Sequence, residues 1–181
     1  MGMRILQKLV LDIDAEAAWR ALHSPAALSE LYGPLLSLQS MAAAGLPTTW
    51  DHGADAPVRY SALGMGLGAH LISVRDRQKS DENGPVRILR DAGIPLTGPL
   101  ATLDAWDHQM AVSPLPGDPE RTLWRERLVI AGPTAPLLWP GLWAVWQWRG
   151  ARLKRLAPTW AYDPVPTDEA PDTPEAPTDD G

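Results

Sequence analysis

From Arg4 to Asp12 apolar and polar positions alternate. Met3, Ile5, Leu9 and Leu11 share one face, and Arg4, Lys8 and Asp12 the other, which predicts a half-buried strand. Asp14 is a good N-cap for the following AEAAWRALH, and Glu16 suits the positive end of that helix. A second short helix is predicted from Ser24 as cap and Pro25 at its first position, with Gly33 as the stop and Pro34 beyond. Strands are predicted over Leu35–Met41, Val58–Leu63, Ala69–Asp76, Pro85–Asp91, Leu103–Val112 and Thr122–Ile130. Between them lie a polar loop over 48–56, a glycine-rich GMGLG turn, a solvated loop over 77–84 and the turn PLPGDPE.

The pattern changes after Ala131. Trp139, Trp143, Trp146, Gly150, Leu153 and Ala157 follow at steps of four and three, and Leu138, Leu142, Val145, Arg149, Arg152 and Leu156 do so one position earlier. Two such rows form one broad face of a long helix. Pro140 costs about 3 kcal/mol or more in a helix interior, so the main helix is expected to start near Trp139–Gly141, after a short turn from Thr134. Strands joined by short loops imply an antiparallel sheet, and helices at the two ends of that run give an α+β architecture. The broad aromatic face requires the long helix to lie across the sheet, with any functional space between them.

Composition refines this. A length of 181 residues suits one domain plus a tail. Nine Trp with no Phe is unusual, and each indole N–H wants a partner, which suits a cavity edge better than dry packing. Without cysteine there is no disulfide or thiolate chemistry, and the N-terminus lacks the features of a signal peptide, so a cytoplasmic location is expected. The net charge of -6 comes from the tail: from Pro158 onward there are seven acids and no Lys or Arg. The rest holds 16 basic against 15 acidic residues, about +1, with no electrostatic footprint for nucleic acid. The tail, 158–181, is read as acidic, proline-rich and disordered from about Asp163, with Trp160 and Tyr162 able to pack on the body over 1–157.

Three stretches resemble the START/Bet v 1-like superfamily, in its polyketide cyclase/dehydrase-like branch. MRILQKLVLDIDAEAAWRALHSPAALSELYGP resembles its opening strand and paired helices. LDAWDHQM resembles its penultimate strand, often with Trp-x-His. TLWRERLVIAGP with VWQWRGARLKRLA resembles its last strand and closing helix, where an Arg often sits at the position of Arg149. The family commonly has Asp at the position of Glu126 and an aromatic at that of Met110. The resemblance implies a helix-grip fold: a curved antiparallel sheet of about six or seven strands wrapped around the C-terminal helix, with two short helices after strand one. It also implies a cavity for an apolar or amphipathic small molecule.

Candidate site residues follow from alternation. Trp106, His108 and Met110 share a face of one strand, and Trp124, Glu126 and Leu128 share a face of the next. The helix adds Leu142, Trp143, Trp146 and Arg149. Centring the hairpin on Gly117 pairs Val112 with Thr122, Met110 with Trp124 and His108 with Glu126. That last pair reads as a buried hydrogen-bonded pair, a polar handle for a ligand, or an acid–base couple. Arg149 on an inner face needs Glu126 or Asp104 to neutralise it, and a salt bridge or a ligand-carboxylate anchor are its two readings. His23 is read as a helix cap, His52 as a loop residue, and His70 on either side of the sheet. GMGLG fits neither phosphate-loop fingerprint, no histidine spacing suggests a metal, and no Ser lies in a hydrolase context, so no metal, cofactor or catalytic residue is assigned. A non-catalytic carrier or sensor is the first reading. An aromatase/cyclase-type enzyme acting on a polyketide-like substrate is the alternative. A third follows from the uncharged run from Ala131 to Trp148 before RGARLKR, which suits helix contact with a membrane surface. The sequence leaves the oligomeric state open.

Overall fold

A computed structural model describes residues 2–81 and 84–162. The order is β1 (Met3–Leu11), α1 (Ala15–Leu22), α2 (Pro25–Tyr32), β2 (Leu36–Ser40), β3 (Asp55–Ala62), β4 (Met65–Asp81), β5 (Gly84–Asp91), β6 (Ile94–Pro95), β7 (Ala105–Leu115), β8 (Asp118–Ala131) and α3 (Ala135–Leu156). Short 3₁₀ segments follow β6 (Pro99–Thr102) and α3 (Ala157–Tyr162). The strands form one antiparallel sheet in the order β1-β8-β7-β5-β4-β3-β2, with β6 pairing β4. The sheet is curved and α3 crosses its inner face, the helix-grip arrangement expected.

The short helices obey their caps. The Asp14 carboxylate accepts from the amides of Glu16 and Ala17 at 2.9 and 2.8 Å, and Ser24 Oγ accepts from Ala27 N at 3.2 Å. Small residues on the inner side of α1 (Ala15, Ala17, Ala18 and Ala21) are buried and let it lie close to β7 and β8. The interior divides in two. A larger core under α1 and α2 gathers Leu11, Trp50, Val112, Trp124, Leu153 and Trp160, and a smaller one under the middle of α3 gathers Ile5, Leu128, Ile130 and Trp146. Trp160 is 4% exposed, so the folded body runs past residue 157. The expectation of disorder from Asp163 falls outside the described residues, as does the side chain of Tyr162.

Four local expectations are corrected. First, α3 begins at Ala135, with Pro140 inside it. The proline is exposed near the helix N-terminus, where the carbonyl it leaves unbonded, that of Pro136, can turn to water. Second, the polar loop over 48–56 buries Trp50 (2% exposed), whose amide donates to His23 O at 2.7 Å. Third, 77–81 is strand rather than loop: β4 and β5 pair out to Asp81 and Gly84, beyond the core, where exposed Arg77, Gln78, Lys79 and Ser80 give no apolar rhythm. Fourth, the β7–β8 register differs by two residues. Val112 faces Trp124, Met110 faces Glu126 and His108 faces Leu128, because β8 accommodates extra residues between the pairs Leu115–Asp118 and Pro114–Thr122. An even shift keeps every side chain on its face. The inward set was therefore right and the partners wrong.

Candidate functional site

An inner cavity of about 340 Å³ lies between the sheet and α3. The middle of α3 forms one wall with Leu138, Gly141, Leu142, Val145 and Trp146. Tyr60, Ala69, His70 and Trp106 from β3, β4 and β7 form the opposite wall, and Tyr32 and Leu36 close the end near α2. Leu67, Thr97 and Pro99 lie on the exposed rim. Close backbone contact fixes that rim. A Cβ on Gly68 would lie 2.2 Å from Thr97 O, and one on Gly98 2.1 Å from Leu67 O. Thr97 Oγ1 also accepts from Ala69 N at 2.9 Å.

Of the ten candidate residues, Trp106, Leu142 and Trp146 line this cavity. Trp143 does not: it is 47% exposed and stacks on Trp139, whose indole donates to the Arg4 carbonyl of edge strand β1 at 3.2 Å. The helix packs along β1 with Gly150 against Gln7, and this turns the Trp139–Trp143 end of its row outward. His108, Met110, Trp124, Glu126, Leu128 and Arg149 all point inward as expected and are all buried, but they pack behind the cavity wall.

Their centre is Glu126. Its carboxylate accepts from His108 Nε2 (2.6 Å), Trp146 Nε1 (2.8 Å), Trp124 Nε1 (3.3 Å) and Arg149 Nη1. His108 reaches it diagonally across the strands despite the shifted register. Burial alone would raise the Glu126 pKa. The charge of Arg149 and the bonds from His108 and Arg149 overcome that and hold it well below the usual carboxylate range. Arg149 is likewise raised by Glu126 against the effect of its own burial. Asp104, the other partner considered for Arg149, is exposed at the mouth of β7. The cluster is therefore a buried ion pair, with Arg149 Nε alone left without a partner, that holds the Trp146 ring at the cavity wall.

The polar groups of the cavity itself were missed or left open by sequence reasoning. Tyr60 alternates with Val58 on the inner face of β3, a signal that was readable. His70 was undecided; it faces inward, 2% exposed, with Nε2 3.3 Å from Asp91 Oδ2. The other oxygen of Asp91 accepts from Ser73 N and Gly93 N at 2.9 and 3.0 Å. Burial opposes ionisation of Asp91, yet His70 and the Ser73 amide keep its pKa below the ordinary range. Burial pushes the Tyr32 hydroxyl pKa up and that of Tyr60 well up, so both stay protonated. The segment 96–100 was unreadable because LTGPL has neither helical nor strand period. His23 caps α1 as expected, with Nδ1 3.0 Å from Trp19 O and Nε2 3.1 Å from Asp76. Among the described residues no cluster of His, Asp and Glu is arranged to hold a metal, and no helix is long and apolar enough to cross a membrane.

No family model matches the chain, and no curated protein is similar to it in sequence. Solved structures are similar in shape. Norcoclaurine synthase from Thalictrum flavum, as a point mutant with a transition state analogue, superposes with a TM-score of 0.53 at 11% identity over 86% of this chain and 95% of that one. The same enzyme has been solved with dopamine and hydroxybenzaldehyde. A protein of Chromobacterium violaceum gives a TM-score of 0.53 at 16% identity over 86% and 97% of the two chains. A hypothetical protein of Helicobacter pylori gives 0.56 at 13% identity over 86% and 88%. These likenesses show the fold, and at this level the resemblance read from the sequence holds.

Proposed function

We propose that the chain binds an apolar or amphipathic small molecule between its sheet and α3, as a carrier or sensor. One observation carries this reading: an apolar cavity of about 340 Å³ lies where a well-packed interior would have closed, within the size range of small-molecule sites. A norcoclaurine synthase of the same fold holds small aromatic molecules, which supports the reading. A second reading, an enzyme acting on a polyketide-like substrate, draws on the ionisable His70–Asp91 pair in the cavity wall.

Titration with the neutral probe N-phenylnaphthylamine, followed by its own emission and by Trp quenching, tests the binding reading. Saturable binding is expected. Leu142→Trp fills the cavity and should weaken binding about tenfold or more, whereas Trp143→Ala, on the outer side of α3, should leave it unchanged. No saturation, or equal losses in both variants, would rule the cavity out as the site.

A further inference from the structure

The apolar wall contains an unusual set of polar groups without partners. Tyr32 and Tyr60 both line the cavity, and neither hydroxyl has a hydrogen-bond partner among the described residues. The Trp106 indole N–H is buried and also lacks a partner, and so does His70 Nδ1, which is an acceptor when Nε2–H donates to Asp91. The groups are neighbours: the His70 ring meets Trp106 edge-on at 5.4 Å between centroids and Tyr60 at 6.3 Å. Buried polar groups are almost always satisfied, so the unpaired Trp106 N–H beside two free, half-buried hydroxyls and an open space points to a missing acceptor. An ordered water can serve them while the cavity is free of ligand.

The charges around the cavity define what that acceptor is. The one arginine behind the wall, Arg149, is committed to Glu126, and its guanidinium lies over the Tyr32 ring at 5.5 Å. His70 is held by Asp91, and His108 by Glu126. A ligand carboxylate would enter a space backed by two carboxylates, with Arg149, the one fixed cation behind it among the described residues, already paired with Glu126, and an unpaired buried charge is strongly unfavourable. An ammonium finds no free carboxylate either, since the Asp91 oxygens are taken by His70, Ser73 and Gly93. Three neutral donors and no spare charge fit a neutral oxygen acceptor.

Resting on the cavity reading above, we propose that this site selects neutral ligands bearing a carbonyl group, and that the hydroxyls of Tyr32 and Tyr60 anchor that oxygen. Fatty acids and other anions are excluded by the same arrangement. The test compares three probes with one naphthalene body, each displacing N-phenylnaphthylamine near neutral pH: ethylnaphthalene, acetylnaphthalene and naphthoate. In the wild type the ketone should bind about tenfold tighter than the hydrocarbon, the effect of one or two good hydrogen bonds, and naphthoate should bind more weakly than the ketone. Tyr32→Phe combined with Tyr60→Phe keeps both rings and should remove the ketone's advantage, while the hydrocarbon binds as tightly as before or tighter because no hydroxyl is left to cover. A melting curve checks that the variant folds, and the single variants serve if the pair does not. Equal affinity for ketone and hydrocarbon, an advantage that survives both substitutions, or tighter binding of naphthoate would each overturn the proposal and leave the cavity reading standing. Failure of all three probes and of N-phenylnaphthylamine would sink both.

Discussion

Glu126 gathers hydrogen bonds from β7, β8 and α3 onto one buried carboxylate. It is an ionised carboxylate without solvent, and its cost is met by four donors from three elements. Glu126→Gln keeps the shape but leaves Arg149 buried without a counter-charge. The expected loss is about 3 kcal/mol or more, on the order of ten degrees of melting temperature. Glu126→Gln with Arg149→Met should recover part of it, because removing both partners leaves no orphan charge; a double variant worse than the single would refute this account. The pH dependence has a definite sign. The folded-state pKa of Glu126 lies far below its unfolded value of about 4.3, so its contribution is complete at neutral pH and shrinks as acidity passes below that value. Asp91 acts in the same direction. Urea midpoints taken from neutral pH down to about pH 3 should fall, and Glu126→Gln should flatten the acid limb. The inward placement of Glu126 and Arg149 was legible from alternation and helical spacing. Their role as wall support was not, because spacing shows which face a residue occupies and not how deep it lies.

At the scale of elements, legibility followed locality. The two short helices were readable because a cap and its amides lie within three residues of each other. The hairpin register and the rim over 96–100 were not, since both depend on backbone meeting backbone across the fold. At the rim, Gly98 has φ 82° and would direct a Cβ into the Leu67 carbonyl. Gly98→Ala should cost at least about 2 kcal/mol, combining left-handed strain with a clash against backbone that cannot yield. It should also weaken probe binding, because the rim must move. Gly117 has the same φ of 82° at the β7–β8 turn with nothing within 4 Å. Gly117→Ala should therefore cost only about 1 kcal/mol and leave binding intact. Urea denaturation with probe titration of both variants separates strain from clash, and equal losses would show that the Gly68–Gly98 contact does not fix the rim.

At the scale of the whole molecule, charge is divided along the chain in a way that no single element displays. The segment after Tyr162 holds seven acids and no base, while the rest of the chain is near +1. The outer face of the sheet is basic, with Arg75, Arg90, Arg125 and Arg127 between 36% and 46% exposed. Asp107, Asp81 and Asp55 pair with all four of these arginines across the sheet, so part of that potential is already answered within it. The remaining field is screened over about 8 Å at physiological salt, and exposed ion pairs contribute little to stability. Five prolines and few apolar residues give the C-terminal segment little area to bury in exchange for becoming ordered. Deleting residues 163–181 should therefore raise the isoelectric point markedly, leave the melting temperature within about one degree at physiological salt, and leave affinity for the neutral probe unchanged. A melting temperature several degrees lower, with a loss that disappears as salt is raised, would instead mean that the acidic segment lies against this basic face and contributes to the fold.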